Sequence, residues 1–138
     1  YYREARLDLD KKFHEICTPL YQKRAKIVQN DSSLSRFWLT ALKNHPLIGN
    51  FITEDDENLL AHVKDIQLSY LSTEPGFRLS FIFEPNEFIN NDILEKTYYL
   101  ENLKEPAFQD LVFDRAEASV ISWKEGKNLC FKKMTKNQ

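Results

Sequence analysis

The first 29 residues contain no glycine and repeat apolar side chains at alternating steps of four and three. That spacing is typical of a helix seam that packs against a second helix. The seam positions are Tyr2, Leu9, Phe13, Ile16, Leu20 and Ile27, and Arg6 and Lys23 interrupt the series. Such a helix would be roughly 40 Å long, more than the rest of the chain can cover. The seam therefore predicts that this helix needs a partner.

A proline lies inside the predicted helix, at position 19. An interior proline removes one backbone hydrogen bond and costs roughly 3 kcal/mol, so it kinks or ends most helices. Pro19 therefore predicts either a bend near Ile16 or two helices in tandem, and the local pattern does not choose between them.

Two short helices are predicted after this segment. Residues 30–35 offer several N-cap side chains before an apolar helical pattern at 37–45, which should end before Pro46. Thr53 and the four acids that follow it indicate an N-cap and the first turn of a third helix, reaching about His62. Those acids thus have a structural explanation available.

From residue 66 onward the apolar pattern changes to a period of two, which predicts strands. Residues 66–70 and 77–83 alternate around a turn at 74–76, so they should form a hairpin. Further strands are predicted at 96–100 and at 118–123, with a long connection at 102–117 and a last short strand at 128–132. The expected sheet is antiparallel and has four strands.

The resulting fold class is α+β. Residues 1–30 are predicted to form a long N-terminal helix that needs a partner, and residues 31–138 a core of short helices and a four-stranded antiparallel sheet.

The net charge of −2 conceals a strong asymmetry. Residues 54–117 hold 15 acidic and five basic residues, a balance of −10, whereas the rest hold six and 14, a balance of +8. Such an acidic unit attracts cationic partners and disfavours nucleic acid. Any single acid has a simpler explanation, because exposed charges also keep a domain soluble.

Several kinds of chemistry have no support in the sequence. The three histidines show no metal-ligand spacing with cysteine or with each other, and no phosphate-binding or nucleophile motif is present. No apolar run approaches the roughly 18 residues of a membrane-spanning helix. Cys17 and Cys130 lie far apart, which favours a reducing compartment. We therefore expect a protein without metal, cofactor, enzymatic activity or membrane contact.

A series of short blocks carries a family resemblance. In order, they are Pro19-Leu-Tyr-Gln-Lys-Arg24, Phe37-Trp-Leu-Thr40, Asn44-His-Pro46, Glu54–Glu57 before Leu59-Leu60, Phe83-Glu-Pro-Asn-Glu-Phe88, Leu94-Glu-Lys-Thr-Tyr98 and Trp123-Lys-Glu-Gly-Lys-Asn128. Together they resemble the nucleosome assembly protein family, including its SET (template-activating factor) branch. Some blocks are more similar to one branch and some to the other, so the branch stays open.

The resemblance implies a non-enzymatic histone chaperone of nucleus and cytoplasm. It implies a homodimer of antiparallel long helices, each carrying an α+β domain whose acidic underside binds core histones. The implied dimer contacts are Leu9, Phe13, Ile16, Leu20 and Ile27. The candidate histone contacts are Glu54, Asp55, Asp56, Glu57, Glu84, Glu87 and Asp92. Proline at the position of Pro19 is a family feature, which weakens the expectation of a kink.

Two further expectations accompany the resemblance. Family members continue past the Trp123–Asn128 block with further helices and an acidic tail, so part of the histone-facing surface is expected to be missing. The alternative function is a coiled-coil scaffold or inhibitor that docks a non-histone partner such as a phosphatase.

Overall fold

A computed structural model describes residues 2–101 and 112–131. The chain begins with a long helix and continues through short helices into a sheet. The elements are α1 (Tyr2–Asn30), a 3₁₀ turn (Ser32–Leu34), α2 (Phe37–Asn44), a 3₁₀ segment (Ile48–Phe51), α3 (Glu54–Leu60), β1 (Val63–Tyr70), β2 (Gly76–Phe83), β3 (Ile93–Leu100) and β4 (Phe113–Ala118).

The long helix α1 runs through Pro19 as one element of 29 residues. The two-helix alternative is therefore wrong, whereas a bend near Ile16 stays a prediction. Directly before the proline, the Thr18 hydroxyl donates a hydrogen bond of 2.7 Å to the His14 carbonyl one turn earlier. Leu7 and Val28 are buried near the two ends of α1, so packing along its length stabilises the helix on both sides of the proline.

Both short helices begin where the sequence predicts them, but Arg36 lies at the N-cap of α2 without a side-chain cap, so the N-cap candidates at 30–35 do not cap this helix. In α3 the Thr53 side chain accepts from the Asp56 N–H, and the Asp56 carboxylate accepts from the Thr53 N–H, which completes a capping box. Helix α3 ends at Leu60, two residues before the predicted end.

The four strands pair in sequence order, β1-β2-β3-β4, and every pair is antiparallel. This confirms the predicted fold class, with a hairpin that starts at Val63 rather than at residue 66. The core lies at the end of the sheet where α3 leads into β1. It consists of Leu59, Val63, Phe83, Phe88 and Ile89, with Trp38 and Trp123 packed against it.

The fourth strand is not where the sequence predicts it. Strand β4 spans Phe113–Ala118, and every residue in it is exposed, so its sequence carries no alternation of buried and exposed positions. The predicted strand at 118–123 instead borders the loop after β2. There Asn90 and Asn91 bond the backbone of Ser122, and Trp123 forms an isolated bridge with Ile89.

Two neighbouring predictions also change. Part of the expected long connection, residues 113–117, belongs to β4, and residues 102–111 lie outside the described residues. The predicted strand at 128–132 is wrong for its described part, because residues 129 and 130 form a turn. The side chain of Asn128 accepts the Cys130 N–H there, at 2.8 Å.

Candidate functional site

Helix α1 has two faces with different environments. Leu7 and Val28 are buried, and His14, Thr18 and Ala25 line a groove between the helix and β1. The five predicted dimer contacts stay uncovered, with exposures between 53% for Leu9 and 70% for Ile16, and so does Tyr2.

The uncovered residues are offset from the covered ones by two positions along the chain. Leu9 follows Leu7 by two residues, and Ile16 follows His14 by two. Two residues correspond to about 200° around a helix, so the two sets lie on nearly opposite sides. The seam of Leu9, Phe13, Ile16, Leu20 and Ile27 therefore points away from the domain of its own chain.

The seven predicted acidic contacts lie around one end of the sheet, where β1 starts, β2 ends and β3 starts. Two backbone bonds join the segments there. The Glu84 N–H donates to the His62 carbonyl at 3.0 Å, and the Phe83 N–H donates to the Asp92 carbonyl at 2.8 Å. Glu54–Glu57 belong to α3, which leads directly into β1. We call this region the acidic end.

Two of the α3 acids already have partners. Asp56 closes the capping box, because its carboxylate accepts the Thr53 N–H and hydroxyl, both at 2.9 Å. Glu57 forms an ion pair with Lys43 of α2. The contacts of these two acids within their own chain account for their presence, since each contact stabilises the local fold.

The two acids after β2 are also paired. The Glu84 carboxylate lies 3.1 Å from His62 Nδ1, and the Glu87 carboxylate accepts a bond of 2.8 Å from Lys127 Nζ. The hydrogen bond from Lys127, together with its charge, lowers the pKa of Glu87 below the ordinary value. Glu87 therefore stays ionised, but a cation of the same chain already neutralises it.

The remaining three predicted acids are free. Glu54, Asp55 and Asp92 are exposed, and within residues 2–101 and 112–131 their side chains have no hydrogen bond or ion pair. The structure thus brings the seven acids to one end of the domain and, among the described residues, leaves three of them unpaired. An unpaired exposed carboxylate offers its full charge to an approaching cation.

The sequence did not indicate the groove between α1 and the sheet, which has a volume of about 720 Å³. Arg24 lies there between two rings, with its guanidinium carbon 4.9 Å from the Tyr21 centroid and 5.0 Å from that of Trp38. Asp65 is buried, and its carboxylate accepts the Ile66 N–H and the Gln67 amide. In the sequence, only the three-residue spacing of Tyr21 and Arg24 on one helix could have indicated that these two side chains meet.

Two classes of feature are absent from the part of the chain that the structure describes. No group of histidine, cysteine, aspartate and glutamate side chains there has the arrangement to hold a metal ion. Among the same residues, no helix combines the length and apolar character that crossing a bilayer requires.

Comparison with known proteins places this chain in a family. The model of the nucleosome assembly protein (NAP) family matches residues 29–138. The chain is 33% identical to a putative nucleosome assembly protein of Schizosaccharomyces pombe, covering 99% of this chain and 42% of that protein. It is 32% identical to nucleosome assembly protein 1;3 of Arabidopsis thaliana, covering 98% of this chain and 41% of that protein.

A solved structure has the same architecture. Nucleosome assembly protein 1 from Plasmodium knowlesi matches with a TM-score of 0.77 and 32% identity, over 92% of this chain and 58% of that one. The chain belongs to the nucleosome assembly protein family. It spans about two fifths of the length of the curated relatives that it matches.

Proposed function

We propose that this chain is a dimeric histone chaperone module, which binds core histones through its acidic end and acts by binding alone, without catalysis. The observation that carries the proposal is the set of three unpaired carboxylates, Glu54, Asp55 and Asp92, at one end of a domain of this family. Core histones are strongly basic, so shielding their charge needs carboxylates that are not already neutralised by the same chain.

The dimer is part of the same proposal. Residues 1–30 serve as the dimerisation helix and residues 31–138 as the histone-binding core. Five apolar side chains on one helix face are exposed in the single chain, and burial against the same face of a second chain would remove them from water. As a histone chaperone, the protein would work in the nucleus and the cytoplasm.

Neutralising the three free carboxylates tests the acidic end. We expect Glu54→Gln/Asp55→Asn/Asp92→Asn to weaken binding of a core histone pair by about tenfold or more near 0.15 M salt. The difference should shrink at higher salt, because exposed charges are screened there. Fluorescence titration with a labelled histone pair at two ionic strengths measures both effects.

A matched control removes the same number of charges elsewhere. Glu4→Gln/Glu15→Gln/Glu101→Gln changes three acids away from the acidic end, two on α1 and one directly after β3, whose side chains also have no hydrogen bond or ion pair among the described residues. This variant should lose much less affinity. Equal losses in the two variants would mean that only the overall charge matters, and unchanged binding by the first variant would move the histone site away from these residues.

A further inference from the structure

The segment between α2 and α3 presents apolar side chains to solvent. Phe51 is 82% exposed and Leu47 is 69% exposed, and Ile48 between them is also uncovered. We call Leu47, Ile48 and Phe51 the apolar patch. Exposed aromatic and aliphatic side chains that lie together are a common feature of protein-binding surfaces.

The backbone under the apolar patch is held in place. His45 Nδ1 accepts the N–H groups of Leu47 and Ile48, both at 3.2 Å, and the Gly49 N–H donates to the His45 carbonyl at 2.9 Å. A Cβ at Gly49 would lie only 2.3 Å from the Lys43 carbonyl oxygen, so this segment packs tightly on the end of α2. The patch is therefore presented on an ordered support, which lowers the entropy cost of binding.

The surroundings of the patch are acidic. Four carboxylates at 54–57 closely follow the patch, and the lysines that flank residues 44–63 are Lys43, which pairs with Glu57, and Lys64. Glu54 follows Phe51 by three residues, so their Cα atoms are within roughly 11 Å of each other even in an extended chain. The capping box at Thr53 fixes where α3 begins, and hence where Glu54 and Asp55 project.

We infer that the apolar patch and the free carboxylates Glu54 and Asp55 form one docking surface for a core histone pair. The surface takes a segment of the histone in which an apolar side chain is flanked by lysine or arginine. The apolar side chain buries Phe51 and Leu47, and the flanking cations pair with Glu54 and Asp55. This inference rests on the proposed function and adds apolar contacts to the charge contacts of the acidic end.

Charge complementarity favours a basic histone segment over a second copy of this chain at the docking surface. A symmetric contact between two copies through this patch would bring the same acidic residues of both chains together, which like-charge repulsion opposes. A basic partner gains from the same carboxylates.

Titration of the full chain with a labelled core histone pair at about 0.15 M and about 0.5 M salt tests the inference. Phe51→Ala should weaken binding by about tenfold at both salt concentrations, because apolar burial is not screened by salt. Glu54→Gln/Asp55→Asn should lose most at the lower concentration. The matched control is Phe131→Ala, which removes a phenylalanine of 79% exposure elsewhere and should leave binding within about twofold.

Leu47→Ala provides an independent second variant, and thermal unfolding checks that each variant remains folded. The inference is overturned if Phe51→Ala and Leu47→Ala both bind like the wild type, or if Phe131→Ala loses as much as Phe51→Ala. Those results leave the proposed histone-binding function standing. If the wild type binds no histone pair at all, the proposed function fails and the inference fails with it.

Discussion

Replacing Phe13 and Ile16 by glutamate is expected to convert the proposed dimer into a monomer. Both side chains lie in the uncovered seam of α1, with exposures of 59% and 70% in the single chain. Burying one such side chain contributes about 1.5–3 kcal/mol, and twofold symmetry counts each substitution twice. The dissociation constant should therefore rise by on the order of a thousandfold or more.

Sedimentation velocity over a range of micromolar concentrations measures this result directly. The matched control is Gln22→Glu/Gln29→Glu, which adds the same two charges at exposed positions on other sides of the same helix. The control should remain a dimer. A dimer that survives Phe13→Glu/Ile16→Glu would show that chains associate through another surface, and the seam of α1 would then need a different explanation.

Phe83→Ala is expected to lower the free energy of unfolding by about 4 kcal/mol, since removing a buried phenylalanine loses its burial and leaves a cavity. Phe83 is 4% exposed and lies in the core with Leu59, Val63 and Ile89. A loss of that size is a large fraction of the stability of an ordinary domain. The core sits next to the acidic end, so this variant should also lose histone binding.

Urea unfolding followed by tryptophan fluorescence reports this change, because Trp38 and Trp123 both pack against the core. Protein concentration must be equal in all samples, since the stability of a dimer depends on it. Phe51→Ala serves as the control, and its free energy of unfolding should change by less than about 0.5 kcal/mol because the ring is exposed. A small effect of Phe83→Ala would contradict the assignment of the core.

The features that sequence reasoning identified depend on residues close together in the chain. The seam of α1 follows from spacing along one helix, and the structure leaves those side chains uncovered. The N-cap at Thr53 follows from the acids directly after it, and the structure has Thr53 in a capping box. Both signals are local, so they need no knowledge of tertiary structure.

The features that sequence reasoning missed depend on distant pairs or on exposure. Glu87 and Lys127 are 40 residues apart, so their ion pair could not be foreseen. Strand β4 is an exposed edge strand, and without a buried face its sequence has no period of two. The separation of free from paired acids, on which the proposed site rests, therefore became visible only in the folded chain.

The most direct test of histone chaperone function is titration of the wild-type protein with purified core histone pairs at increasing salt, with its oligomeric state followed in parallel. We expect tight binding near 0.15 M salt that weakens steadily as salt rises, while the dimer itself persists because its seam is apolar. A dimer that binds no histone pair at about 0.15 M salt would contradict the proposed function and favour a scaffold that docks another partner.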